Sequence, residues 1–260
     1  MRVLVTRPQP SAAATAARLE ALGHEAIVLP MMEAVHQPQA ALDALSLPHS
    51  AIAVTSAEAI RALAPVKNDV APHLITPIFC VGPATAEAAR QFGFQSVGTS
   101  HATGRALAQL IAEIFRLRGV QPDRPRKSVE QRVDEIFRSA GGSGNLVYLA
   151  GRPRSPGFET SLREAGVTCR VAEVYRMSPI AHAPETIESL LSSGRPEAAL
   201  FYSHETARHF FALNVVATKT TFHDMRLLCL SEHVADAVPR GIGHIAIAAE
   251  PNEKSLFALL

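Results

Sequence analysis

Short apolar runs, each ending at a hydroxyl or a glycine and each followed by a helix-period pattern, recur along the whole chain. The first is Arg2–Thr6, followed by Arg7-Pro8 and a helix capped near Ser11 that stops at Gly23. The second is AIAVT, with Ser56 as helix cap ahead of EAIRAL. The third is IFCV, then Gly82-Pro83-Ala84-Thr85 and a helix ending at Gly93. NLVYLA leads into Gly151-Arg152-Pro153 and a helix ending at Gly166, AALFY into Ser203-His204-Glu205, and LLCL into Ser231-Glu232-His233. Runs that are apolar at consecutive positions, not alternating ones, are what strands buried on both faces require. HEAIVLP, FQSVG and TCRVAEVY add strands after the first, third and fourth helices. The fold class is therefore α/β with parallel sheets flanked by helices, and the number of units calls for two lobes.

Thr103 to Arg118 carries Leu107, Leu110, Ile111, Ile114 and Phe115 at 3–4 spacing, which predicts a longer amphipathic helix. The polar, basic stretch that follows, to the Gly/Ser cluster at 141–144, reads as a surface excursion that is helical at VEQRVDEIF. Pro30–Pro38 and Val174–Pro184 are extended, proline-bearing segments suited to connecting two lobes.

In open α/β sheets, ligands bind beyond the carboxyl ends of the strands. Here those ends carry Thr6, Arg7, Thr55, Ser56, Gly82, Thr85, Gly151, Arg152, Ser203 and His233. Free backbone N–H groups at helix starts attract anions, and small or hydroxylated residues let an anion approach them. For any single one of these turns, ordinary helix capping accounts for the hydroxyl equally well. Tyr175, within the second connecting segment, is either a strand tyrosine or a phenol able to donate a proton to a leaving oxygen.

Charge narrows the partners. With 25 basic and 24 acidic residues the net charge is +1, aromatics are 5%, and Trp is absent, so there is neither a basic footprint nor a stacking platform for nucleic acid. No window offers the roughly 18 apolar residues of a membrane span, and the N-terminal apolar run is too short for a signal peptide. Cys80, Cys169 and Cys229 are far apart and lie in apolar runs, which predicts reduced, buried thiols and a cytoplasmic location. No C-x-x-C pair, H-E-x-x-H, nucleophile elbow or phosphate loop is present, and Gly141, Gly142 and Gly144 precede a strand where a dinucleotide motif would follow one.

Taken in order, VLVTRP, AVTSAEAIRAL, FCVGPATAEAARQFGF, LVYLAGRPR with LREAG, VYRM, LFYSHETARHF and LCLSEHVADAV resemble uroporphyrinogen-III synthases over nearly the whole chain. The resemblance implies two lobes joined by a two-stranded connection, with a cleft between them. Residues 1–37 plus 180–260 then form a discontinuous first lobe, 38–173 a second lobe with its basic excursion near 118–144, and 174–179 part of the connection. It implies a cofactor-free enzyme that takes a linear tetrapyrrole, hydroxymethylbilane, loses water and closes the ring with inversion of the terminal pyrrole to give uroporphyrinogen III; the small, charge-balanced, two-lobed chain without metal-ligand spacing in turn suits a metal-free monomer. Transient contact with neighbouring pathway enzymes goes with an unstable substrate. By the same resemblance Tyr175 corresponds to the tyrosine that assists loss of the hydroxyl, and Ser56, Thr85 and Ser203 match hydroxylated cleft positions. The chain departs from the family at Ser231-Glu232-His233-Val234, where a Gly-Pro-Thr-Thr-like turn is common. That departure favours a second reading, a non-catalytic two-lobed binder or sensor of an anionic metabolite.

Overall fold

The apolar runs form two sheets. The computed structural model describes residues 1–100, 103–118, 145–192, 195–213 and 224–260, so most of the basic excursion near 118–144 lies outside the described residues. One sheet has the order β11-β10-β9-β1-β2 and the other β3-β8-β7-β4-β5-β6. Their strands are β1 (Arg2–Val5), β2 (Glu25–Val28), β3 (Met32–His36), β4 (Ala51–Val54), β5 (Ile78–Val81), β6 (Val97–Ser100), β7 (Leu146–Arg152), β8 (Cys169–Pro179), β9 (Ala198–Phe201), β10 (Arg226–Cys229) and β11 (His244–Ile247). The chain divides into two units, Met1–Glu33 with Ser178–Leu260, and Ala34–Met177. It passes from one to the other within β3 and again within β8.

In the Ala34–Met177 unit, β8, β7, β4, β5 and β6 run parallel to one another. Both faces of this sheet are covered, which is why β4 is buried at every position and shows no alternation. Ile52, Val54, Val147 and Leu149 face α2 (Pro38–Leu45), α3 (Ala57–Arg61) and α5 (Pro83–Phe92), with α4 (Lys67–Val70) adding Val70 to the same cluster. Ala51, Ala53, Leu146, Tyr148 and Ala150 face α6 (Gly104–Arg118) and α7 (Gly157–Glu164). On α6, Leu107, Ile111 and Ile114 are buried, while Leu110 and Phe115 pack at the cluster's margin.

The other unit repeats this arrangement with β1 central, paired in parallel to β2 on one side and β9 on the other. Val3, Val5, Leu200 and Leu228 pack with Ala12 and Leu19 of α1 (Ser11–Ala21) and Leu256 of α11 (Glu253–Phe257). On β9, Phe201 is fully buried and its ring lies 5.4 Å from that of Phe210 on α9 (His204–Phe211). The remaining helices of the unit are α8 (Pro184–Ser192) and α10 (Glu232–Ala235).

Three local expectations need correction. Ser11 does not cap α1; Pro10 occupies the cap position and the Gln9 side chain takes the Ala13 N–H at 3.1 Å. The strand expected at FQSVG begins only at Val97, because the Phe94 N–H closes the preceding helix on Ala89 O at 3.1 Å and its ring is buried in the core. Cys80 and Cys229 are buried free thiols as expected, but Cys169, at the start of β8, is only partly buried.

Candidate functional site

Parallel pairing of β8, β7, β4 and β5 gathers their carboxyl ends along one edge of the Ala34–Met177 unit. Thr55 and Ser56 follow β4 and send their hydroxyls in different directions. Thr55 Oγ1 lies 2.8 Å from the phenol oxygen of Tyr148, on the face covered by α6 and α7. Ser56 caps α3, its Oγ accepting the Glu58 N–H at 3.2 Å. Gly82 follows β5 at φ 77°, a left-handed backbone that suits glycine, and Pro83 opens α5 behind it. Thr85 is almost fully buried inside α5. Arg152, at the end of β7, has a 71% exposed side chain that meets Glu173 at 3.6 Å.

Tyr175 sits at an irregularity. Along β7 and β8 the register runs Ala150↔Glu173 and then Gly151↔Tyr175, so Val174 and Tyr175 together oppose one residue. Without that extra residue, period two would place Tyr175 on the face of Cys169 and Val171. The bulge turns it to the opposite face, where it packs with the cluster containing Ala172, Val174, Val147 and Leu149. Its phenol lies near the Ser56 hydroxyl, with Glu58 and Arg61 close enough to act on its charge. Burial pushes the phenol above its ordinary value; the neighbouring Ser56 hydroxyl and Arg61 oppose this, and Glu58 reinforces it.

Glu58 is itself fixed. Only 12% of its side chain is exposed, His36 Nε2 lies 2.6 Å from Oε1, and Arg61 donates from Nε and Nη2 to Oε2 at 2.8 and 2.6 Å. A second cluster stands beside the end of β7. Arg154 donates to Glu159 at 2.6 Å and to Glu173 at 2.7 Å, and its hydrogen bond holds the Glu173 carboxyl below the usual range. Sequence reasoning missed His36, Glu58, Arg61 and Arg154. Nothing in their spacing marks them, since strand order, not proximity along the chain, brings 36, 58, 61 and 175 together.

In the other unit, Thr6 is fully buried and its Oγ1 donates to Leu200 O at 2.7 Å, tying β1 to β9. Arg7 is likewise engaged. It meets Glu253 at 3.1 Å and Thr15 Oγ1 at 3.1 Å, and its guanidinium lies 4.1 Å above the centre of the Tyr202 ring. Glu253 collects further bonds from Thr15 at 2.7 Å, from Tyr202 at 2.6 Å and from Arg18. Burial raises its carboxyl, but the Tyr202 and Thr15 hydroxyls with Arg18 and Arg7 outweigh that and hold it below its ordinary value.

Ser203 caps α9 through Thr206 N at 3.2 Å. His233 is exposed on α10, and its ring stacks on that of His204 at 4.8 Å and 11°. Ser231 holds the cap position of α10 without a side-chain cap bond. The unit thus presents Ser203, His204 and His233 at the carboxyl ends of β9 and β10, whereas the Thr6 and Arg7 side chains are engaged internally. Among the described residues no group of three or more His, Cys, Asp or Glu side chains is arranged to hold a metal ion, and no helix is long and apolar enough to cross a membrane.

The family profile described as Uroporphyrinogen-III synthase HemD matches residues 13–258. No individually curated protein matches the sequence. Among solved structures, the uroporphyrinogen-III synthetase of Helicobacter pylori is 17% identical with a TM-score of 0.61, the match covering 100% of this chain and 98% of that one. A mutant uroporphyrinogen III synthase of the extreme thermophile Thermus thermophilus is 18% identical with a TM-score of 0.52, covering 100% and 96%. At these identities the structural likeness is one of fold.

Proposed function

The chain belongs to the uroporphyrinogen-III synthase family and cyclises hydroxymethylbilane in tetrapyrrole biosynthesis, and we propose that it does so chiefly by orienting the substrate, with the Tyr175 phenol assisting loss of the hydroxyl. The family match over residues 13–258 carries the functional conclusion.

The reaction breaks the C–OH bond of the hydroxymethyl group and joins that carbon to the substituted α-carbon of the terminal pyrrole; the bond from that α-carbon to its original methylene then breaks and is remade at the pyrrole's free α-carbon, which releases its proton, so one water leaves and there is no net oxidation or reduction. A resident redox cofactor has nothing to supply. The leaving hydroxyl departs readily once protonated, so the enzyme's task is to fold the chain so that the substituted α-carbon of the terminal pyrrole is attacked in place of the free one, an orientation effect. Tyr175 suits the remaining acid step. It is a phenol that stays protonated at neutral pH, with the Ser56 hydroxyl nearby.

The acetate and propionate arms need anion sites, which we assign to the Ser56, Gly82 and Thr85 turns with Thr55 and Arg152, and to Ser203 and His233. Thr6 and Arg7 stand at the end of β1, in the same unit as Ser203 and His233, and their backbone is assigned to the same role. A monomer in the cytoplasm, in transient contact with the enzymes on either side of it in the pathway, completes the proposal.

The test is Tyr175→Phe assayed on freshly generated hydroxymethylbilane. Turnover should fall by roughly 10²-fold, the lower end of what a positioned acid contributes, while product affinity changes by less than about threefold. Unchanged turnover at saturating substrate removes the role.

A further inference from the structure

We infer that Gly151 is a positioning residue for Tyr175: the phenol ring occupies the volume in which any other residue would carry its Cβ. This rests on the reading of Tyr175 as the acid at the leaving hydroxyl, and it gives Gly151 a different task from the backbone contact to substrate that its place at a strand end suggests.

A Cβ built on Gly151 would lie 2.2 Å from Tyr175 Cζ, 2.4 Å from the phenol oxygen and 2.7 Å from Cε1. These are atoms of a rigid ring, not the tip of a flexible chain, so the ring itself would have to move by more than an ångström to reach ordinary contact. Backbone freedom is not the reason for glycine here, because Gly151 is absent from the glycines of positive φ. The position is buried, in β7 directly opposite the bulge of β8. Side-chain alternation on β7 sends Val147, Leu149 and position 151 to one face, and the bulge at Val174–Tyr175 turns the tyrosine to that same face, directly opposite Gly151. The two irregular features are therefore complementary: one brings the ring over the strand and the other leaves room for it. The Ser56 hydroxyl lies near the phenol oxygen. The ring is bounded by Gly151, the apolar cluster and Ser56, so extra volume at 151 displaces the phenol oxygen from its place.

The experiment is a double-mutant cycle on the full chain with Gly151→Ala, Tyr175→Phe and both together, measuring kcat and KM on hydroxymethylbilane. A displacement of about 1 Å at a reacting group costs on the order of 10²-fold, so Gly151→Ala should lower kcat by that factor and leave KM within about twofold. In the Tyr175→Phe background the same substitution should change kcat by less than threefold. Wild-type kcat in Tyr175→Phe alone would overturn the reading of Tyr175. A slow Tyr175→Phe with an unaffected Gly151→Ala, or with effects that multiply in the double variant, would overturn only the assignment of Gly151.

Ring-13C tyrosine NMR gives a readout independent of turnover, since the chain has three tyrosines. The signal missing from Tyr175→Phe should shift in Gly151→Ala while the other two stay. If none shifts, or all three do, the inference fails. Should Gly151→Ala not fold, Gly151→Ala with Tyr175→Leu removes the ring as well. Recovery of folding supports the inference and continued failure overturns it.

Discussion

A phenol packed against a serine cap, a glycine and an ion-paired carboxylate keeps its proton throughout the neutral range. Burial raises Tyr175 above its ordinary value of 10.0, and Glu58 adds to that effect. If this proton is the one donated, kcat should be flat from pH 7 to about 9 on the alkaline side, with any decline attributable to Tyr175 lying above roughly pH 10. An alkaline limb near pH 8 that vanishes in Tyr175→Phe would contradict the assignment. The thiols give a second check. Burial pushes Cys80 and Cys169 up to about 12 and Cys229 up to about 11. At pH 8 roughly one thiol in a thousand or fewer is then the reactive thiolate. A chromogenic disulfide should find almost no fast thiol in the native protein and three in denaturant; one fast native equivalent would mean that Cys169 is more accessible than its environment indicates. Tyr175 was legible in the sequence because it stands in an extended proline-bearing segment within a recognisable series of motifs. His36, Glu58 and Arg61 were not, because a local reading has no access to the order β3-β8-β7-β4 that makes them its neighbours.

At the scale of elements, the strand-turn-helix units were legible because their signals are local. Apolar runs, the hydroxyl caps at Ser56 and Ser203, and glycine stops such as Gly23 at φ 80° all lie within a few residues of the boundaries they mark. The errors arose where a non-local or atypical partner decided the outcome. Gln9 replaced a serine cap at α1, and core burial of Phe94 delayed β6. Thr6 and Arg7 show the same non-local influence, because β9 and α11 engage side chains that a local reading sees only as strand-end groups. Glu253 joins α11 to α1, to the end of β1 and to Tyr202 after β9. Its carboxyl is held below the ordinary 4.5, so it favours the folded state above that value, and this stabilisation is lost as pH falls below 4.5 and through the folded value. Glu253→Gln should therefore cost about 2 kcal/mol at pH 7, the scale of hydrogen bonds to a charged group. Denaturant titrations should show the gap from the parent protein closing as pH drops from 5 to 3. A gap independent of pH would mean that the carboxylate charge contributes nothing.

At the scale of the molecule, β1 lies between β2 and β9, so one sheet is built from segments about as far apart as the chain allows: Val3 pairs with Ala198. Repeated units in the sequence indicate two parallel sheets but do not state which strands share one. The net charge of +1 bears on the substrate. A polyanion held without a basic surface relies on helix-start amides, hydroxyls and a few local cations, and several of the arginines nearest the strand ends, Arg7, Arg61 and Arg154, are already paired with carboxylates. Catalysis by orientation also predicts a specific product, since spontaneous closure of hydroxymethylbilane does not invert the last pyrrole. The most direct measurement is the isomer composition formed from freshly generated hydroxymethylbilane, with and without the protein, before spontaneous closure has consumed the substrate. The account predicts that the protein accelerates substrate loss and shifts the product to isomer III. Isomer I alone, formed at the rate seen in buffer, would contradict it.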